Sequence, residues 1–303
     1  MNAIETIALT KRFRKVEAVR GLNLQVPEGG VYALMGPNGA GKTTLIKLLM
    51  NLTSPTQGQA FVLGLDSLSL KGRRLEAIGY VSENQKMPEW MTVERFLAYW
   101  RLFYPTWDTE LERKLVERFE LPLKQKLKVL SRGIRMKAAL TSVLAYRPRL
   151  IILDEPLSGL DPLVRDDLME GLSGLGGETT VLLSSHDLAE MEHFASHVGY
   201  MEGGELLLSE TIATVRRRFC TVEVKSDSPL LCPEVVPIEW LDFIIREGRA
   251  KWIETDYDRA RSTNRAHSLF GQVELRASPI TLREIFLTLA RKPQPIVEDG
   301  GEE

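Results

Sequence analysis

The sequence predicts an α/β fold built on a parallel sheet, and two stretches of the chain support that prediction. In the first, an apolar run at residues 31–35 precedes a glycine-rich segment and a second apolar run at residues 45–50. In the second, apolar strands at residues 150–153 and 180–184 flank a helical pattern at about 162–175. Because a strand, a helix and a strand in succession pack with both strands in one direction, these stretches indicate parallel pairing.

The other elements follow in chain order. Residues 4–63 alternate short strands with turns on either side of the glycine-rich segment and its predicted helix. Residues 78–81 have the composition of another strand, and the pattern is helical from residue 92 to about 144, with prolines between the helices. Two short runs at 198–201 and 205–208, joined by a glycine turn, predict a hairpin.

A change of pattern after residue 212 predicts a small α+β domain at residues 213–292. Three runs have the composition of strands, at residues 221–225, 250–255 and 272–276, and an amphipathic helix is predicted at 280–291. The acidic, glycine- and proline-rich residues 293–303 are expected to be disordered. Arg216, Arg217 and Arg218 precede the first of these strands, and a solvated surface explains them better than lipid contact.

The segment between the first predicted strand–helix pair carries the most specific chemistry in the chain. It reads Gly36, Pro37, Asn38, Gly39, Ala40, Gly41, Lys42, Thr43 and Thr44, a complete G-x-x-x-x-G-K-[ST] phosphate loop. Its glycines let the backbone approach a phosphate chain, and the helix start presents N–H groups to the anion. Lys42 would reach the β- and γ-phosphates and the Thr43 hydroxyl would bind Mg²⁺. The sequence therefore predicts nucleoside triphosphate binding.

A second segment supplies two carboxylates at the end of an apolar strand, Asp154 and Glu155. Ligands bind at the carboxyl ends of strands in open α/β sheets. Asp154 suits a Mg²⁺-holding carboxylate and Glu155 suits the group that polarises an attacking water. Such a pair is a weak signal alone, but here it follows a phosphate loop and precedes the polar segment 158–161.

These motifs, in this order, resemble the ATP-binding subunit of an ABC (ATP-binding cassette) transporter, over about residues 4–209. The resemblance implies a P-loop NTPase cassette at residues 1–212 with a RecA-like core, an antiparallel β-subdomain and a helical insert at about 85–148. A small α+β C-terminal domain at 213–292, of the kind found on ABC-2-like exporters, would follow it. ATP and Mg²⁺ are the cofactors implied, and ATP hydrolysis is the activity.

Three further positions match the family pattern. Phe13 stands where an aromatic residue stacks on adenine, although an ordinary core phenylalanine is the alternative interpretation. Residues 158–161 match the D-loop. His186 ends a predicted strand at the place of the switch histidine, which implies a γ-phosphate contact and a part in catalysis.

Two positions depart from the family pattern. Where the family has Leu-Ser-Gly-Gly-Gln, the chain keeps Ser131 and Gly133, which would bind the γ-phosphate of a partner cassette, but it has Arg132 between them. Arg132 would either assist phosphate binding or project into solvent. Glu83 aligns with the family's glutamine and could still ligate Mg²⁺, whereas Gln85 would need a two-residue slip. Both departures suit a slow or partner-dependent ATPase.

The resemblance also implies partners. Two cassettes pack head to tail around ATP in this family, so the expected partners are a second cassette, either another copy of the chain or a related cassette, and a transmembrane permease subunit. Trp90 and Met91 are proposed as part of the permease docking surface, although Phe96, Trp100 and Phe103 at helical spacing could instead be core. The direction inferred is export, from the C-terminal domain and Glu83.

Composition agrees with a cytoplasmic protein held peripherally at the cell membrane by its permease. The 39 lysines and arginines against 41 aspartates and glutamates give a net charge of −2, so no nucleic-acid partner is expected. No apolar run reaches the roughly 20 residues of a membrane-spanning helix, so no direct insertion is expected. Cys220 and Cys232 fit free thiols in a reducing compartment.

Alternative functions are an ABC-type ATPase that acts on ribosomes or DNA and a slow ATP sensor. The first usually has two cassettes or long coiled-coil or zinc insertions, and the sequence has one phosphate loop, no heptads and no clustered cysteines. The second is suggested by Glu83 and Arg132. The retained site residues argue against it: Lys42, Asp154, Glu155 and His186.

Overall fold

The computed structural model describes residues 1–291 except 84, 174–176, 178, 188–190, 192–193, 227 and 247. The chain divides into two compact units, Met1–Ser209 and Glu210–Glu303. The boundary between the units therefore lies between residues 209 and 210, three residues before the boundary that was predicted between residues 212 and 213. The predicted disordered tail at 293–303 and the predicted end of the helix at residues 175–176 lie outside the described residues.

Two sheets organise the first unit. Its strands are, in chain order, Asn2–Phe13 (β1), Val16–Leu22 (β2), Gln25–Pro27 (β3), Gly30–Met35 (β4), Gln57–Val62 (β5), Leu65–Asp66 (β6), Ile78–Val81 (β7), Leu150–Asp154 (β8), Thr180–Ser185 (β9), His197–Glu202 (β10) and Glu205–Thr211 (β11), whose last two residues belong to the second unit. One sheet has the order β11-β10-β4-β9-β8-β7, with parallel pairing from β10 to β7. The other has the order β2-β1-β5-β6, with β3 also paired to β1, and it is antiparallel.

The central strands β8 and β9 are buried along their whole length. A strand covered on both faces needs a continuous apolar run rather than an alternating one, which is what residues 150–153 and 181–183 provide. One apolar core joins the two sheets and contains Ile4 on β1, Leu45 on the first helix and Leu182 on β9. This mixed α/β architecture confirms the predicted fold class.

Five α-helices are described in the first unit: Lys42–Leu49 (α1), Val93–Arg101 (α2), Thr109–Arg118 (α3), Arg132–Leu144 (α4) and Pro162–Ser173 (α5). The side chains of Thr92 and Asp108 accept hydrogen bonds from N–H groups at the starts of α2 and α3, which fixes where these helices begin. Phe96 is buried on α2, whereas Phe103, beyond the end of α2, is exposed. The interpretation of these aromatic residues as core therefore holds for Phe96 and not for Phe103.

The second unit, as far as its residues are described, contains an antiparallel sheet and three helices. Its elements are Ile212–Arg218 (α6), Cys220–Lys225 (β12), Trp240–Arg246 (β13), Arg249–Glu254 (β14), Arg259–Phe270 (α7), Glu274–Pro279 (β15) and Leu282–Ala290 (α8). The strand order is β13-β14-β12-β15. Its core centres on Trp240 and Trp252, whose rings stack 3.9 Å apart between centroids, with Val222 and Phe243 beside them.

Sequence patterns missed α6, α7 and β13. In β13, the pairing register shifts between Leu241 and Ile244, so the alternation that marks a strand is interrupted. The solvated-surface interpretation of the arginine run was wrong for Arg218, which ends α6. Its guanidinium binds the Glu210 carboxylate at 2.5 Å and the Thr255 carbonyl oxygen at 2.5 Å.

Candidate functional site

The phosphate-loop segment connects β4 to the start of α1. Gly41 lies just before α1 with a φ of 106°, and a Cβ at this position would sit 2.2 Å from the carbonyl oxygen of Ala18. Only glycine fits both the dihedral angle and the space. No side chain caps α1, so the first N–H groups of the helix remain able to bind an anion.

Lys42 and Glu155 form a buried ion pair beside this loop. The Lys42 Nζ lies 3.1 Å from Glu155 Oε1 and donates to the carbonyl oxygens of Gly36 at 2.5 Å and Pro37 at 3.2 Å. Glu155 Oε1 has no partner in hydrogen-bond geometry, so the lysine approaches it as a charge without donating to it. The other carboxylate oxygen, Oε2, lies 2.8 Å from His186 Nδ1. Glu155 therefore bridges a lysine and a histidine.

Asp154 lies at the end of β8 and accepts two hydroxyl hydrogen bonds on its Oδ1 atom. Thr43 Oγ1 donates at 3.1 Å and Ser184 Oγ donates at 2.8 Å. Burial, and then the negative charge of Asp154, raise the pKa of the nearby Tyr80 hydroxyl above its usual value. The aspartate is thus held in one orientation next to the first turn of α1.

The backbone between the two carboxylates turns sharply, because Glu155 has a φ of 50°. This left-handed conformation costs a residue with a side chain about 1–3 kcal/mol and persists only where surrounding contacts enforce it. It directs the Glu155 side chain toward Lys42 and His186, whereas Asp154 faces Thr43.

The residues present suit a nucleotide with a magnesium ion. A cavity of about 180 Å³ follows the loop and is lined by Ala18, residues 37–44, Glu83 and Glu155. Backbone N–H groups and Lys42 are suited to phosphate oxygens. The hydroxyl of Thr43 and the carboxylate of Asp154 are hard oxygen donors, and Mg²⁺ is commonly held by one or two carboxylates together with substrate phosphates.

Other residues predicted for the site do not line this cavity. Phe13 lies at the end of β1 and is 49% exposed, and Lys11 Nζ lies 4.9 Å from the centroid of its ring. The alternative interpretation of Phe13 as a core residue is therefore wrong. Ser131 caps α4 by accepting a hydrogen bond from the Ile134 N–H. Gly133 is buried on α4, where a Cβ would lie 2.8 Å from Val164 of α5.

The two departures from the family pattern contact each other. Arg132 Nη2 lies 3.6 Å from Glu83 Oε1. A Cβ on Gly159, which has a φ of 67°, would lie 3.1 Å from Arg132 Nη1. The side chain of Arg132 therefore lies beside the Glu83 carboxylate and the loop at Gly159 of the same chain. The two interpretations of Arg132 from the sequence, phosphate binding and projection into solvent, did not include these contacts.

A larger groove of about 690 Å³ lies beside Glu83. It is lined by Glu83, Gln85, Lys86, Met87, Glu89, Leu127, Leu130, Arg132, Arg135, Met136 and Ala139. Trp90 is 65% exposed but neither it nor Met91 lines the groove, whose apolar lining comes from other residues, including Met87 and Met136. The role of Trp90 and Met91 in docking remains a prediction.

Ser184 is the residue of this site that sequence reasoning missed. It is fully buried in β9, and its hydroxyl contacts both Asp154 and the Glu155 backbone. The only signal in the sequence is a serine pair that ends an otherwise apolar strand, and that pattern alone does not distinguish a site residue from an ordinary strand end.

Among the described residues, none of the helices has both the length and the apolar character that are needed to cross a bilayer.

Comparison with known proteins gives a consistent result. The family described as ABC transporter matches residues 19–158. A bacitracin transport ATP-binding protein of Enterococcus faecalis is 32% identical over 220 residues, which cover 71% of each chain. A daunorubicin/doxorubicin resistance ATP-binding protein of Streptomyces peucetius is 34% identical, over 71% of this chain and 67% of that one.

The similarity does not extend along whole proteins. An uncharacterized ABC transporter ATP-binding protein of Synechocystis is 31% identical over 71% of this chain, and the match spans 64% of its own length. A solved structure described as an ATP-binding subunit of an ABC transporter superposes with a TM-score of 0.63 at 27% identity. It covers 71% of this chain and 92% of that one.

Proposed function

The chain belongs to the family of ABC transporter ATP-binding proteins, which are ATPases, and we propose that it powers a membrane exporter by binding and hydrolysing Mg²⁺-ATP. The observation that carries this proposal is the position of Glu155, between Lys42 and His186 and at the edge of the phosphate-loop cavity. A carboxylate in this position can accept a proton from water that attacks the γ-phosphate.

Each side chain of the site has one proposed task. Residues 36–44 bind the phosphates, and Lys42 neutralises their negative charge. Thr43 and Asp154 would hold Mg²⁺, which when bound would offset charge on the phosphate oxygens. Glu155 orients and deprotonates the water, and His186 holds Glu155 and contacts the γ-phosphate. Glu83, which lines the same cavity, is proposed as a further oxygen ligand near the metal.

We propose that two copies complete each site. Phe13, on an exposed part of β1, stacks on adenine. The partner subunit's Ser131 and the partner subunit's Gly133 bind the γ-phosphate across the interface. ATP then favours the closed dimer, and hydrolysis releases it, because the ligand has different affinities for the two states.

Export, a permease partner and a position on the cytoplasmic face of the membrane belong to the same proposal. The named relatives, a bacitracin transport protein and a drug resistance protein, support it. Affinity purification of the tagged chain from membranes in mild detergent should recover a multi-spanning protein in equal amount, and Trp90→Ala should reduce that recovery. Recovery of ribosomes or DNA-bound proteins instead would contradict it.

Glu155→Gln tests the mechanism directly. ATP hydrolysis should fall by about 10²- to 10⁴-fold, the range that a general base contributes, while ATP binding is retained and a dimer accumulates. Glu117→Gln, at an exposed carboxylate on α3, is the matched control and should behave as wild type. A Glu155→Gln protein that stays monomeric at saturating ATP, or that still hydrolyses it, would overturn the assignment.

A further inference from the structure

Ser184 connects the two carboxylates of the proposed site. It pairs with Asp154 in the register of β8 and β9, so the two residues lie side by side on adjacent parallel strands. Its side chain is completely buried. A buried hydroxyl must find hydrogen-bond partners, because burial removes it from water. The partners that it finds therefore indicate what it does.

Geometry fixes the direction of both hydrogen bonds. The Glu155 backbone N–H can only donate, and it donates to Ser184 Oγ at 2.9 Å. The single hydroxyl proton of Ser184 is therefore left for Asp154 Oδ1, at 2.8 Å. One hydroxyl thus holds the aspartate side chain and the peptide that joins the aspartate to the glutamate.

The second of these contacts acts on a strained position. Glu155 has a φ of 50°, a conformation that a residue with a side chain adopts only when its surroundings impose it. Its N–H is held by Ser184, and its carboxylate extends to Lys42 and His186. Loss of the Ser184 hydroxyl would leave that N–H without its partner and allow the peptide to rotate.

We propose that Ser184 is a positioning residue for ATP hydrolysis, which holds the Asp154 carboxylate and the Glu155 backbone in the orientations that metal binding and water activation require. This inference rests on the proposed function, because it assumes that Asp154 holds Mg²⁺ and that Glu155 acts on water. Ser184 touches neither phosphate nor water in this assignment. It acts through the two carboxylates.

Ser184→Ala should therefore change the chemical step and the metal requirement more than nucleotide binding. We expect kcat to fall about 10- to 100-fold, the range found when an outer-shell partner of a metal ligand is removed. The Mg²⁺ concentration for half-maximal activity should rise, and ATP affinity without metal should stay within about threefold of wild type. Ser184→Thr keeps the hydroxyl and should recover most of the activity.

A matched control separates positioning from folding. Ser142 is also buried, on α4, and its hydroxyl donates to the carbonyl oxygen of Ala139 at 2.7 Å. Ser142→Ala removes another buried hydroxyl, away from the carboxylates, so it should leave kcat close to that of wild type. Equal losses of activity in the two variants would show that Ser184 only supports the fold.

A binding measurement keeps the test independent of turnover. Mn²⁺, followed by electron paramagnetic resonance with a non-hydrolysable ATP analogue, should bind more weakly to Ser184→Ala than to wild type. If wild type neither hydrolyses ATP nor binds Mn²⁺ with the analogue, the proposed function fails. If wild type does either and Ser184→Ala matches it in both kcat and Mn²⁺ affinity, the inference about Ser184 alone fails.

Discussion

Two pairs of opposite charges include residues that line the phosphate-loop cavity, and the pairs differ in burial. Lys42 and Glu155 are 5% and 8% exposed and their charged atoms lie 3.1 Å apart. The side chains of Glu83 and Arg132 are 41% and 45% exposed, and their charged atoms are separated by 3.6 Å. Both pairs join segments that are distant in sequence, and both include a residue assigned to the site.

The difference in burial decides how firmly each pair is held. A buried charge is costly without a partner, so Lys42 and Glu155 are restricted to the few arrangements that satisfy both. A half-exposed pair can exchange its partner for water and contributes little, typically below about 1 kcal/mol. The buried pair is therefore a fixed part of the site, whereas Glu83 can leave Arg132 for another cation at small cost.

The largest effect should come from the backbone on the buried side. Gly41→Ala would place a Cβ 2.2 Å from the Ala18 carbonyl oxygen at a φ of 106°, so the loop and the adjacent strand must move apart. We expect the left-handed dihedral to cost about 1–2 kcal/mol and the overlap to add about 1–3 kcal/mol. The free energy of unfolding, measured with urea, should fall by the sum.

Gly39→Ala is the matched control within the same loop. Its φ is 86°, but a Cβ there would meet nothing within 4 Å. This variant should show only the dihedral cost. If the two alanine variants lose the same free energy of unfolding, then close packing against Ala18 does not constrain the loop, and the contrast between buried and exposed parts of the site is weakened.

A smaller effect is expected on the exposed side, at Phe13. If its ring stacks on adenine, Phe13→Ala should weaken ATP binding by about 1–3 kcal/mol, the usual contribution of a base–aromatic stack. Binding of inorganic triphosphate, which has no base, should not change. Calorimetric titration of both ligands makes the distinction.

Phe103→Ala is the control for Phe13, because Phe103 is similarly exposed but lies just beyond α2. It should bind ATP and triphosphate as wild type does. Equal weakening of both ligands by Phe13→Ala would mean that the ring supports β1 and does not bind the base.

The sequence predicted the buried part of the site better than its exposed part. Residues 36–44 and the carboxylates Asp154 and Glu155 lie on a phosphate loop and a strand end, whose local geometry follows from glycine placement and apolar runs. The pairing of Glu83 with Arg132 could not be predicted, because it depends on how the helical segment folds back toward β7. Ser184 was missed because a hydroxyl in a strand acquires its role only from the neighbouring strand.

The fold shows the same division. Continuous apolar runs identified β8 and β9, and the order of strands and helices indicated their parallel pairing. The helix α7 was missed because it carries no apolar stripe at helical spacing: its buried residues are the small Ser262 and Ala266. Asp258 caps its start by accepting a hydrogen bond from the Arg261 N–H. The Ser262 hydroxyl of α7 donates to the buried carboxylate of Glu254.

The smallest effect should come from the Glu83–Arg132 pair, measured by a double-mutant cycle of Glu83→Gln, Arg132→Gln and the double variant. The coupling in the free energy of unfolding should be about 0.2–1 kcal/mol, as for exposed pairs. The coupling should vanish in 1 M salt, where the screening length is only about 3 Å.

The Arg113–Glu117 pair on α3 is the control, with charged atoms 3.4 Å apart and both side chains more exposed. It should give a similar or smaller coupling. A salt-resistant coupling above about 2 kcal/mol would place Glu83 and Arg132 with the buried pair, and Glu83 could then not exchange Arg132 for Mg²⁺ at small cost.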